Sequence, residues 1–283
     1  MWSVTIRQLP LGIGILAACS SPTGPGTGPS PDPLLVETRT LGPTTTRNDL
    51  FTIRPDGTGR HNIWGEELSG QNYSSLFVTY SPDRTLIAFL QFTTTTINLR
   101  DQNGANPTSI SAAIGGESVF DLRWYPDNAH LVVSCGKRCQ QWLLGLDGSR
   151  VPLPFLGSDP EWSRDGRFLA VTKEDSARVD QVFVVRTDGS DPRQLTTGSS
   201  PARRPRWSPD GSVLLFSTAD AIWIVSAAGG SSRRLVGATG YGAWSPDGTW
   251  VAFSNAGHLY VVRSDGADVR QVPLQGEIAN YDW

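Results

Sequence analysis

The sequence predicts an all-β fold, a closed ring of six four-stranded antiparallel blades, and three observations predict it. First, an aromatic residue, a tight turn and an apolar strand recur as one unit: Trp162–Ala170 reads WSRDGRFLA, Trp207–Leu215 WSPDGSVLL and Trp244–Ala252 WSPDGTWVA. Weaker copies open at Tyr80 (YSPDRTLIA) and Trp124 (WYPDNAHLV), and Trp283 adds a sixth aromatic. The anchors Tyr80, Trp124, Trp162, Trp207, Trp244 and Trp283 lie 37 to 45 residues apart. That period belongs to propeller blades or to helical arrays. Ser-Pro-Asp-Gly selects the propeller, because proline presets φ, aspartate hydrogen-bonds nearby amides and glycine accepts a left-handed backbone. Second, each unit carries another hairpin, clearest in QVFVVRTDGSDPRQL from Gln181 and LYVVRSDGADVRQV from Leu259. Degenerate versions occupy 98–110, 142–151 and 222–235. Third, the chain ends are complementary: 34–39 and 49–63 read as strands B, C and D without an A, and 277–283 reads as an A without the rest. An A strand from the C-terminus therefore pairs with B, C and D from the N-terminus and closes the ring.

Taken in order, residues 1–18 read as an export signal, with Arg7 followed by an apolar stretch from Leu9 to Ala18 that is too short to span a bilayer as a helix. Its end, Leu16-Ala17-Ala18-Cys19, resembles the lipobox of bacterial lipoproteins. The resemblance implies a lipidated Cys19 as the mature N-terminus; an ordinary secretory signal ending in a coincidental cysteine is the alternative. Residues 19–33 continue as a Pro, Gly and Ser tether with nothing to bury. Residues 34–283 form the propeller. Cys135 and Cys139 then remain as a closely spaced pair, read as one loop-stapling disulfide or two thiols.

Composition narrows the function. Net charge is −3, with 24 Lys and Arg against 27 Asp and Glu, so no global positive field points to nucleic acid. No metal site is expected, because His61, His130 and His258 lack metal-ligand spacing and Cys-x-x-x-Cys alone is not a zinc site. No cofactor is implied. Enzymatic readings do poorly: the histidines fall on different strands, and the adjacent acids Glu174 and Asp175 read as a solvated loop.

The W-S-P-D-G turn followed by Y-V-V-x-x-D-G is similar to the WD-like repeats of the TolB-type β-propeller family, over residues 34–283. The resemblance implies a periplasmic protein-binding propeller, here without the α/β domain that precedes the propeller in TolB and with a lipobox in its place. Similar propellers precede the hydrolase domain of prolyl oligopeptidase-like peptidases, but the sequence has no G-x-S-x-G elbow and no such domain is expected after Trp283.

Binding residues follow from strand alternation. The A strands line the channel, and the residue before each anchor faces it: Thr79, Arg123, Glu161, Arg206, Ala243 and Asp282. Arg203, Arg204 and Arg206 read as a basic rim able to take a carboxylate or phosphate. The plainer reading pairs Arg206 with Glu161, or Arg123 with Asp282, across the channel. The six anchors read as inter-blade packing. The B–C and D–A loops vary in length and are the candidate binding face, including 63–75, 92–97, 135–139, 172–181 and 195–206. The expectation is a monomeric, lipid-anchored envelope propeller binding a protein or peptide, with the outer membrane favoured over the inner because Ser20 after the cysteine resembles enterobacterial sorting signals. A carbohydrate-binding or carbohydrate-active propeller is the alternative, and a spacer module in a surface assembly a third.

Overall fold

The computed structural model describes residues 32–41, 46–63, 75–91, 96–111, 121–134, 140–153 and 157–283. These form six four-stranded antiparallel sheets, the blades of a propeller, with no helix among them. Blade 1 is built from both ends of the chain: Glu277–Asp282, Leu34–Leu41, Thr46–Ile53 and His61–Asn62, in that order across the sheet. Blades 2 to 6 follow in chain order, with innermost A strands Ser75–Tyr80, Asp121–Trp124, Ser158–Trp162, Arg203–Trp207 and Gly242–Trp244.

The A–B turns repeat because one hydrogen-bond set repeats. In four blades the serine after the anchor donates its hydroxyl to the turn aspartate at 2.6 Å: Ser81 to Asp83, Ser163 to Asp165, Ser208 to Asp210 and Ser245 to Asp247. The amide two residues past each aspartate donates back to the same carboxylate, as Arg167 does to Asp165 at 3.0 Å. The following turn residue needs positive φ. Gly166, Gly211 and Gly248 supply it, whereas the weak copies use Asn128 and Arg84. At Arg84 the left-handed backbone costs about 1 kcal/mol, and its side chain lies over the Tyr80 ring at 4.0 Å and donates to the Pro33 carbonyl at 2.9 Å.

No single central core exists. The buried apolar side chains of the described residues fall into six clusters, one between each pair of neighbouring blades. The anchors sit at the inner end of these wedges and are 6 to 9% exposed. Their indoles tie blade to blade: Trp124 Nε1 donates to the Thr79 carbonyl, Trp207 Nε1 to Glu161 and Trp244 Nε1 to Arg206.

Ring closure has three layers. The N-terminal strand pairs with the C-terminal one from Leu35 opposite Asp282 to Arg39 opposite Glu277, with a bulge at Glu37/Thr38. The Asp282 carboxylate accepts the Tyr80 amide at 2.9 Å, reaching across to blade 2. Trp283 Nε1 donates to the Asp32 carbonyl at 2.9 Å, in place of the previous-blade carbonyl that other indoles use. Asp32 and Pro33 are thereby held on the A–B turn face, where the chain enters the propeller. Removing the Asp282 carboxylate leaves the Tyr80 amide without its acceptor, so Asp282→Ala is expected to lower stability by about 1–3 kcal/mol in denaturant titration. An unchanged midpoint contradicts this clasp.

The turn carboxylates also set an acid response. Serine hydroxyls hold Asp165 and Asp210 below the usual carboxylate range; at Asp83 and Asp247 burial pushes upward but the same kind of bonds outweigh it. A depressed folded value contributes stability above the unfolded value, about 3.9, and loses it as pH falls through the folded value. Melting temperature should therefore drop below about pH 4. In the Asp165→Asn, Asp210→Asn, Asp247→Asn variant the melt should start lower at neutral pH and decline less steeply; an equal slope contradicts the assignment.

Candidate functional site

The six residues preceding the anchors meet where the A strands converge. Thr79, Arg123, Glu161, Arg206, Ala243 and Asp282 line one cavity of about 220 Å³ on the A–B turn face, together with anchor ring edges and turn prolines. A second cavity, about 420 Å³, opens on the loop face and is lined by Arg39, Phe77, Asp159, Arg204, Tyr241 and Glu277 among others. Arg123 and Arg206 line both. They form the partition of the channel, held by Glu161: Arg206 donates to its carboxylate at 2.8 Å, and Arg123 reaches the same oxygen at 3.5 Å. Arg123 also reaches Asp121 at 3.3 Å. Of the two pairings read across the channel, Arg206 with Glu161 is present, whereas Arg123 takes Glu161 and Asp121 rather than Asp282. Asp282 is occupied with the Tyr80 amide.

Burial raises the Asp121 and Glu161 carboxyls above their ordinary range, against the pull of Arg123 and Arg206. Burial also disfavours the Arg206 charge, but Glu161, Asp282 and Asp121 together outweigh it and hold the guanidinium protonated.

The wider mouth is made by a second ring, the residues three positions before the anchors. Phe77, Asp159, Arg204, Tyr241 and Asn280 all line it, and Asp121 holds the equivalent position in blade 3. Alternation puts them on the channel side with the residue before the anchor. In blades 1, 2, 4 and 5 a β-bulge breaks the A–B register at this level, and Asp159 and Arg204 take φ of 53° and 54° within it. Bulges re-aim side chains at barrel rims and sites. Tyr241 and Tyr281 stack with centroids 4.4 Å apart, and the Tyr241 hydroxyl donates to the Tyr281 carbonyl at 2.9 Å. The Arg204 and Arg206 guanidiniums lie 5.1 and 5.7 Å from the Tyr241 centroid.

The three arginines of the sequence-predicted rim take three different places. Arg203, an even number of residues before Trp207, points away from the channel and donates to the buried Asp180 at 2.6 Å. Arg204 stands at the wide mouth and Arg206 in the partition. Of the candidate loops, 172–181 is mostly ladder: strands run through Glu174 and from Asp180, leaving a turn at 175–179 closed on the Asp175 carboxylate. Cys19, Cys135, Cys139 and the loop segments 64–74 and 92–95 lie outside the described residues. His61, His130 and His258 occupy blades 1, 3 and 6, where His61 meets the Asn103 carbonyl and His130 the Asp127 carboxylate. Among the described residues no group of His, Cys, Asp or Glu is placed to hold a metal ion. Tyr241, Asp159, Arg39 and Asp121 were absent from the sequence-predicted site, although extending the channel alternation by two residues reaches three of them.

Removing Glu161 leaves two buried guanidiniums facing each other. Glu161→Ala should cost about 3 kcal/mol in denaturant unfolding, and Glu161→Leu combined with Arg206→Met should cost less than Glu161→Ala alone. Equal losses contradict a paired partition.

No family model matches the chain. It is 38% identical over 58 residues to a curated relative, the "Uncharacterized peptidase YuxL" of Bacillus subtilis, covering 20% of this chain and 9% of that protein. Among solved structures it is similar to TolB from Acinetobacter baumannii, with a TM-score of 0.75 and 19% identity over 89% of this chain and 66% of that one. It is also similar to an oligogalacturonate lyase in complex with manganese, with a TM-score of 0.55 and 14% identity over 80% of this chain and 72% of that one. The chain thus spans about a tenth of the curated relative and just under two thirds of the TolB chain. In fold, it is a six-bladed β-propeller of the kind that TolB carries.

Proposed function

We propose that this chain is a lipid-anchored envelope protein whose propeller binds a protein or peptide partner at the channel mouth on the loop face. The observation that carries the reading is the partitioned channel. Arg123 and Arg206, tied by Glu161, stand between two cavities, and the larger one sets charged and aromatic side chains on the A strands and their approaches, as binding sites require. The geometry of chain entry supports the choice of face. Asp32 and Pro33 are bonded to Trp283 and Arg84 on the A–B turn face, which leaves the loop-face mouth clear of the chain's entry into the propeller. Cys19 is the lipidation site in this reading, the outer membrane its location and the propeller a monomer. A disulfide between Cys135 and Cys139 is part of the same exported state.

The runner-up is a carbohydrate-binding or carbohydrate-active propeller. The likeness in fold to the oligogalacturonate lyase and the cations of the wide mouth favour it. The three histidines on three blades do not support a shared catalytic centre there.

Photo-crosslinking separates the readings. A crosslinking residue placed at Glu277, exposed on the loop-face mouth, is expected to capture one envelope protein in intact cells, and the same residue at Arg164, exposed at the opposite mouth, is not. Absence of a protein adduct from Glu277, or equal capture from both positions, overturns the proposal.

A further inference from the structure

Resting on that reading, we infer that the wide mouth recognises a carboxylate carried by an extended peptide segment of the partner, with Arg204 as its principal contact. The first support is charge left unspent. Arg204 and Arg39 line the mouth and enter no ion pair among the described residues. Guanidinium forks of this kind match carboxylates bidentately.

The second is crowding. Tyr281 stacks on Tyr241 at 4.4 Å, while the guanidiniums of Arg204 and Arg206 both come within 5.7 Å of the same Tyr241 centroid. Two cations gathered at one ring repel each other, and a carboxylate between them relieves that repulsion while the ring keeps its cation–π contacts. The third is backbone strain. Arg204 holds a left-handed φ of 54° inside the bulge, a conformation that glycine adopts without cost, yet the position carries a long cation aimed at the mouth.

A peptide fits better than a polyuronate. Phe77 and Ile278, both half-buried, share the wall with the cations and offer apolar contact to side chains flanking an acid. Asp159 and Glu277 line the same mouth and oppose a ligand that is anionic along its whole length. At about 420 Å³ the cavity holds a short segment, not a folded domain.

The test uses the full chain and two arrays of random hexapeptides, one ending in free carboxyls and one amidated. Enrichment of Asp or Glu in both arrays is expected if a side chain supplies the carboxylate, and binding confined to the free-carboxyl array if a C-terminus does. Arg204→Gly, which suits the backbone and should keep the melting temperature, is expected to abolish the enrichment and to weaken the best peptide about tenfold or more; Arg204→Lys should recover part of it. Binders lacking any acid dependence, binding unchanged by Arg204→Gly, no binders at all, or preferential capture of trigalacturonate each overturn the inference. A protein adduct from Glu277 without acid dependence overturns this inference alone. Trigalacturonate capture with no protein adduct overturns the protein-partner reading as well.

Discussion

Every feature of this molecule depends on closure of the ring by a strand borrowed from the other end of the chain. An open array of blades would leave the edges of the first and last blades unpaired, exposing backbone donors and acceptors and one inter-blade cluster. Here Leu34–Leu41 pairs with Glu277–Asp282, and the wedge between blades 6 and 1 gathers Leu34, Val36, Phe51, Trp250, Tyr281 and Trp283. Closure also makes the channel. The residues before the anchors come from six distant parts of the chain and meet only when the last A strand is in place.

Once closed, the ring imposes an electrostatic problem that the A strands solve together. Six inward residues converge on one axis, around the smaller of the two cavities. Thr79 and Ala243 are small, and the long side chains of Arg123, Glu161 and Arg206, on three successive blades, pair between neighbours at the channel. Two guanidiniums on one carboxylate would leave excess positive charge, which Asp121 and Asp282 offset. Such a partition is weak evidence of added stability, since a buried ion pair recovers roughly what its desolvation costs. Its consequence is geometric: it divides a tube into two mouths of different chemistry.

Sequence made the ring legible because repetition exposes it. The Ser-Pro-Asp-Gly units, the second Asp-Gly hairpins and the mismatched ends led to the observed blades, and strand alternation named the six residues that line the channel. Two things were harder. Arg203, Arg204 and Arg206 are neighbours in sequence and read as one rim, yet parity relative to Trp207 separates Arg203, which serves Asp180, from the other two. The second channel ring follows from the same parity but is obscured by variety, since Phe77, Asp121, Asp159, Arg204, Tyr241 and Asn280 share no chemistry. The bulges that give Asp159 and Arg204 their left-handed backbone have no sequence signal, because neither position carries the glycine that usually marks one.

That contrast between a uniform ring and a varied one is the physical ground for proposing recognition on the loop face. On the A–B turn face the polar groups are consumed by the turns themselves. Ser208 donates to Asp210, whose carboxylate also takes the amide and hydroxyl of Ser212; the same pattern holds around Ser81 and Ser245, and around Ser163 without the second hydroxyl. The indoles beside them donate to neighbouring blades. A surface whose donors and acceptors already satisfy one another offers a partner little beyond shape. The ring three residues earlier carries no repeated turn chemistry: bulges interrupt the ladder at this level in blades 1, 2, 4 and 5, and each blade places a different group there. Selection for fold acts on the repeated positions, which leaves the unrepeated ones, Arg204 and Tyr241 foremost, open to selection for a ligand.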